Sequence, residues 1–180
     1  MDHREHTQLK DGRKCLIRAL TEDDAQITLD NFLLTHGETE FLASYPDESI
    51  DVNSERGILK SFFESERNVL IGAFVDGSLT GTASIAALGN KDKYRHRAEL
   101  GIAVAKEYWG LGIGRALMES CLKCAYRAGF SQIELEAVSE NAAALGLYRS
   151  LGFTEFGRNP KGFRTRAGAW QELVYMRLEL

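Results

Sequence analysis

The chain has 180 residues, enough for a domain with a full core, and its 44% hydrophobic and 27% charged content is that of a globular protein. Its 22 basic and 26 acidic residues leave a net charge of −4, without the basic excess of a nucleic-acid binder. No apolar run approaches the ~20 residues of a membrane span.

Residues 1–12 are polar and are expected to be disordered, His3 and His6 included. The segment from Met1 to Lys10 has no apolar core of a secretory signal, so the cytoplasm is the expected compartment. The expected folded unit, a single α/β domain, spans 13–180. Cys15 to Ala19 reads as a first strand. Thr21 is placed to cap a helix reaching about Leu34, with Glu22, Asp23 and Asp24 in the first turn, where they suit the helix dipole. From Asn31 to Ser54 there is no Lys or Arg, while Glu38, Glu40, Asp47, Glu48 and Asp51 are acidic. A second helix is expected near Glu55 to Ser65, with Ile58, Leu59, Phe62 and Phe63 as its core face. Strands at Val69–Val75 and Leu79–Leu88 flank Asp76-Gly77, a hairpin signal.

The stretch from Glu99 to Phe130 organises the rest. A strand within Arg95 to Ala105 shows Leu100, Ile102 and Val104 at period two. The turn Trp109-Gly110-Leu111-Gly112-Ile113-Gly114-Arg115 follows. The next helix places Ile113, Ala116, Leu117, Cys121, Cys124, Ala125 and Ala128 on one apolar stripe, and Gly129 stands where a helix-ending glycine belongs. Glycines between a strand and a helix start suit anion binding, because backbone N–H groups of the first turn point outward. The spacing excludes two common versions. Arg115 or Leu117 stands where a G-x-G-x-x-G motif needs its third glycine, and no Gly-Lys-Ser/Thr is present.

Cys121-x-x-Cys124 has metal-ligand spacing, but both cysteines lie on the apolar stripe and no second Cys/His pair accompanies them, so they read as core residues and no metal is expected. Ile133 to Val138 is a further strand. Two last strands are expected near Thr154–Gly157 and Glu172–Leu178. The basic, glycine-rich run from Arg158 to Gly168 between them is expected as a loop.

Two segments together resemble the GNAT superfamily of N-acetyltransferases. That family carries R/Q-x-x-G-x-G/A after its fourth strand and N-x-x-A-x-x-L-Y-x-x-x-G-F after its fifth. The second pattern is met at Asn141, Ala144, Leu147, Tyr148, Gly152 and Phe153. The first is met at Gly112 and Gly114, with Trp109 in place of Arg or Gln. The element order agrees over residues 13–178.

The resemblance implies an α/β (α+β) fold: a mixed, mostly antiparallel twisted sheet of six to seven strands with flanking helices and a V-shaped splay between the fourth and fifth strands. Acetyl-CoA would lie in the splay as co-substrate. Its pantetheine arm would pair with Ile102, Ala103 and Val104, and its pyrophosphate would sit on the N–H groups of Gly110, Leu111, Gly112, Ile113, Gly114 and Arg115, with Trp109 opening the loop. Asn141 would cap its helix and bond the pantetheine arm. Tyr148, two turns on, would serve the leaving thiolate as general acid, or fill the core as an aromatic. Glu99 is the candidate general base, or a strand-end charge paired with Arg97. The expected activity is direct acetyl transfer to a primary amine of a small molecule or protein, with a non-catalytic acyl-CoA sensor as the rival. The acidic segment from Glu38 to Asp51 would favour a cationic acceptor, or be a solvated loop. The basic run would be a solvated loop, or approach the nucleotide 3′-phosphate or an acidic acceptor. Relatives often pair, so a homodimer is carried as an expectation.

Overall fold

Strands β1 (Arg4–Gln8), β2 (Lys14–Ala19), β3 (Val69–Val75), β4 (Ser78–Ala87), β5 (Arg97–Val104), β6 (Gln132–Val138), β7 (Thr154–Arg164) and β8 (Trp170–Glu179) form one sheet. Their order is β1-β2-β3-β4-β5-β6-β8-β7. This computed structural model describes residues 3–180. Every neighbouring pair is antiparallel except β5 and β6. Four helices flank the sheet: α1 (Ala25–Gly37), α2 (Val52–Glu64), α3 (Ile113–Arg127) and α4 (Ala142–Ser150). Among the described residues no helix is long and apolar enough to cross a membrane.

Strand alternation sorts the side chains onto two faces. One face presents Ile71, Ala73, Ile85, Ala98, Leu100, Ile133, Leu135, Val174 and Met176, and α3 and α4 cover it with Ile113, Leu117, Cys121, Cys124, Leu145 and Tyr148. The cysteines are therefore core residues, and burial pushes the Cys121 thiol well above its ordinary value. The other face carries a smaller core of Leu20, Ala25, Leu59 and Phe74 beneath α1 and α2. Of the four residues expected to form the α2 core face, only Leu59 is fully buried, while Ile58 and Phe63 are exposed. The Asp76-Gly77 hairpin has both turn residues at positive φ, matching the twist of the strands it joins.

Three expectations are corrected. The sheet has eight strands, because residues expected to be disordered form β1; Met1 and Asp2 lie outside the described residues. The sequence Arg4-Glu5-His6-Thr7-Gln8 has no apolar alternation. It is held by its backbone ladder to β2, and by Glu5, which accepts hydrogen bonds from Ser120 and Lys123 of α3. The basic run is also strand: β7 continues through Arg164, past a register shift between Asn159 and Phe163 that accommodates Pro160 at the sheet edge.

The turn into α1 is fixed by one ion pair. Arg18 of β2 donates from both terminal nitrogens to Asp24 at 2.7 Å, and the Thr21 N–H donates to the same carboxylate at 2.9 Å. Burial raises the Asp24 pKa, but these hydrogen bonds and the Arg18 charge outweigh it, so the carboxyl sits below its ordinary value. Its stabilisation is complete above the unfolded value of about 3.9 and is lost as pH falls through the lower folded value. Asp24→Asn is expected to cost about 2 kcal/mol in urea melts at pH 7. The gap to wild type is expected to narrow in acid.

Candidate active site

The sheet is open along one line. β5 and β6 pair only at Arg97 with Gln132, Ala98 with Ile133, and Glu99 with Glu134. Beyond Glu99 the strands part, and this is the splay expected from the sequence. The direction of the exposed backbone follows from two hydrogen bonds at the ends of β5. Leu88 N–H donates to Arg97 C=O, and Ala105 N–H donates to Thr80 C=O. In an antiparallel ladder this fixes the odd-numbered residues of β5 as the ones bonded to β4. Ile102 and Val104 therefore turn their amides and carbonyls into the open fork. Ala103, expected beside them as a backbone partner, faces Thr82 of β4 instead.

Trp109 has a defined place here. Its indole N–H donates to the Val104 carbonyl at 2.6 Å, pinning the glycine turn against the end of β5. The chain then passes Gly110 at φ +78° and Gly112 at φ +100°, left-handed conformations that other residues enter at a cost. Gly112 is the N-cap of α3 and brings no side-chain cap. Among the described residues, the N–H groups from Gly110 to Arg115 donate to no protein acceptor. They stand at the positive end of a 15-residue helix, a cradle of the kind that suits an anion. Gly114 lets α4 come close: a Cβ there would stand 3.3 Å from Leu147. The Arg115 guanidinium turns to Ser150 Oγ at 2.5 Å and Glu119 at 3.4 Å, so Arg115 offers the cradle its backbone N–H.

α4 forms the other wall. Asn141 caps it, its Oδ1 accepting from Ala144 N–H at 3.2 Å, which leaves the amide NH2 for another partner. Seven residues on, Tyr148 packs into the core with Phe153 at a ring separation of 6.1 Å. Burial pushes its phenol up to about 12. The group therefore holds its proton throughout the neutral range.

Glu99 lies on the α1/α2 face at the point where the strands part. Glu136 of β6 shares that face, because the parallel register sets Glu134 opposite Glu99 and Glu136 follows two residues later. Desolvation in the fork raises the Glu136 carboxyl, and the Glu99 charge raises it further. Arg97, the expected partner for Glu99, instead donates to Glu134, at 2.9 Å through Nη2. That pair lines a cavity of about 480 Å³ at the closed end of the fork. Glu99 and Glu136 form no ion pair among the described residues. Sequence reasoning missed Glu136. Alternation put Glu134 and Glu136 on one face, but only the register with β5 separates the paired carboxylate from the one in the fork.

The acidic segment and the basic run meet across the fork. Arg166 lies 2.7 Å from Asp47 and 3.9 Å from Glu48, and its guanidinium stacks on Tyr45 at 4.1 Å. The acidic segment is thus not without a cation, because the expected basic loop supplies one.

The comparisons fit this geometry. The family model described as Acetyltransferase (GNAT) family matches residues 31–153. The chain belongs to the GNAT acetyltransferase family. It is 27% identical over 148 residues to the L-amino acid N-acyltransferase MnaT of Escherichia coli, covering 82% of this chain and 85% of that one. It is 38% identical over 100 residues to N-alpha-acetyltransferase RimI of Mycobacterium tuberculosis, covering 56% of this chain and 61% of the relative. A GNAT acetyltransferase structure from Streptococcus pneumoniae superposes with TM-score 0.88 at 25% identity, covering 92% of this chain and 99% of the other. The yncA structure from Salmonella typhimurium, which holds its cofactor acetyl-CoA, shares the fold with TM-score 0.82 at 23% identity, covering 97% and 95%. The chain is accordingly an acyltransferase.

Gly112→Ala forces a Cβ into the left-handed cap. At roughly 1–2 kcal/mol, this strain is expected to lower the melting temperature of the free protein by a few degrees. A loop that relaxes to escape it loses its aligned N–H groups, so acetyl-CoA affinity is expected to fall about tenfold, read by calorimetric titration.

Proposed function

We propose that this protein transfers the acetyl group of acetyl-CoA directly to a primary amine. The observation that carries the reading is the continuity of two unpartnered backbone arrays: the fork edge of β5 at Ile102 and Val104, and the N–H cradle from Gly110 to Arg115. An elongated ligand with an amide chain at one end and a pyrophosphate at the other fits both. The Val104 carbonyl is engaged by Trp109, so its N–H and the groups of Ile102 serve the amide chain. The Asn141 amide NH2 adds a donor from the opposite wall.

Bound acetyl-CoA supplies a thioester carbonyl as electrophile and a thiolate as leaving group. The chain supplies position and protons. An ammonium ion is drawn to the fork by Glu99 and Glu136, which lack a cation of their own. One of these carboxylates takes the proton, so that the amine attacks as a free base. The Glu136 carboxyl, raised by desolvation and then by the Glu99 charge, is a better proton acceptor than an ordinary carboxylate. The Tyr148 phenol holds its proton at Oη, ready to donate a hydrogen bond to the departing sulfur. With a pKa of about 12 it is a weaker acid than a thiol of pKa about 8.5, so it stabilises the thiolate by sharing its proton rather than surrendering it at rest. Orientation within the fork contributes the rest. A purely cofactor-sensing protein has no use for this set of proton-handling groups.

Acetyl-CoA at about 100 times its Kd is expected to stabilise the fold by about 2.7 kcal/mol in a thermal melt. Pooled primary amines are expected to release free thiol in the same mixture. Binding without release from any amine pool would overturn the catalytic reading, and no melting shift would overturn the cofactor site.

Tyr148→Phe is expected to lower kcat about 100-fold with acetyl-CoA affinity nearly unchanged. Equal kcat for the two proteins would remove Tyr148 from the chemistry.

The carboxylates make a signed prediction about pH. Activity requires the fork carboxylate ionised, so kcat/KM rises with pH through its raised value. Glu99→Gln removes the neighbouring charge and is expected to move this acid limb to lower pH. An unmoved limb would separate Glu99 from the titrating group.

A further inference from the structure

Resting on the acetyltransferase reading, the structure also limits the size of the acceptor. The connection between α1 and α2, residues 38–51, runs over the fork as a strap fastened at both ends. At one end the Glu38 carboxylate accepts from the Lys106 N–H at 2.7 Å, just past β5. At the other end the strap is fixed to the β7–β8 hairpin. Gln171 Nε2 donates to the Glu40 carbonyl at 3.0 Å, and Arg166 N–H donates to the Tyr45 hydroxyl at 3.1 Å. The Arg166 guanidinium lies over the Tyr45 ring and reaches Asp47 at 2.7 Å. In the order β5-β6-β8-β7, a strap tied at β5 and at the hairpin must cross β6, and so must cross the acceptor side of the fork.

What remains between strap and hairpin is a cavity of about 190 Å³, lined by residues that include Leu42, Tyr45, Phe163, Thr165 and Gln171. Gln171 alternates along β8 with Leu173 and Tyr175, and Tyr175 stands opposite Glu136. The cavity therefore opens on the same face as the two carboxylates, with its lining drawn from the strap and the hairpin and not from Glu99 or Glu136. It is smaller than the roughly 300 Å³ at which ordinary ligand pockets begin. A folded protein terminus, or a peptide lying extended over the fork, would have to displace the strap.

We infer that the acceptor is a slender small-molecule amine, and that the Tyr45–Arg166 latch is a specificity determinant that keeps protein amines out. Arg166 is exposed and Tyr45 half-buried, and neither forms a hydrogen bond or ion pair with the β5 edge or the glycine cradle. Loss of the latch leaves the cofactor half of the site intact.

The test compares kcat/KM for free amino acids and linear alkyl mono- and diamines with kcat/KM for hexapeptides, in wild type and in Arg166→Ala. Wild type is expected to favour the small amines about 100-fold, and the variant to reduce that preference about tenfold by gaining activity on peptides. Acetyl-CoA melting shifts are expected to be the same in both. Equal or better wild-type activity on the peptides overturns the inference, as does a preference unchanged in Arg166→Ala. Thiol release from no small amine, with a normal acetyl-CoA shift, also overturns it while leaving the cofactor site standing. Absence of the shift instead overturns the underlying acetyltransferase reading. Tyr45→Phe removes the hydroxyl but keeps the ring and is expected to fall between wild type and Arg166→Ala.

Discussion

β5 and β6 keep company for three residues and then part. Backbone N–H and C=O groups in a protein interior are nearly always paired, and a strand edge that loses its neighbour has to find another partner. Here the edge ends in a turn whose own N–H groups lack protein acceptors, and the turn opens a helix whose dipole favours negative charge. Two kinds of unmet backbone valence, one neutral and one anion-seeking, thus lie end to end. The chemistry of the site depends on this open edge more than on any side chain.

Several residues far apart in the sequence serve to keep that edge in place. Trp109 ties the turn to β5 at the Val104 carbonyl, a link the family pattern of Arg or Gln at this position does not anticipate. Gly114 allows Leu147 of α4 against the start of α3, which sets the distance between the two walls of the fork. Lys10 N–H donates to the Leu111 carbonyl at 3.1 Å, so even the β1–β2 turn supports the cradle. The carbonyls of Val104, Leu111 and Gly112 accept from donors of the fold, while the N–H groups from Gly110 to Arg115 donate to no protein acceptor among the described residues. That asymmetry suits the loop to an anion rather than a cation.

Much of this was legible in the sequence, and the reason is physical. β3, β4, β5, β6 and α3 bury one face each and so carry a hydrophobic period, and Gly112, Asn141 and Tyr148 stand at positions whose local geometry is dictated within a few residues. What was not legible lies at the edges. β1 and the far half of β7 bury little, so their polar sequences carry no period. The α2 face was read too wide because the helix packs on a small core built around Leu59. Ala103 and Glu136 required the ladder register, a non-local fact: parity along β5 turns Ala103 away from the fork, and the register with β5 brings Glu136 toward it.

The acidic and basic runs show the same dependence most clearly. Read separately, five carboxylates without a cation suggested an attraction for a cationic acceptor, and a basic loop suggested a phosphate. Folded, Arg166 of the basic run binds Asp47 and Glu48 of the acidic segment, while Arg158 is held outside that segment by Glu155 and Glu172. Charge that is matched within the fold has little left with which to attract a ligand. Glu99 and Glu136 also lack an ion-pair partner among the described residues and stand where the sheet parts, and desolvation together with the Glu99 charge raises the Glu136 carboxyl. On the proposed reading, two acids left without a cation where the sheet opens concentrate affinity for an ammonium group at the place where that group loses a proton.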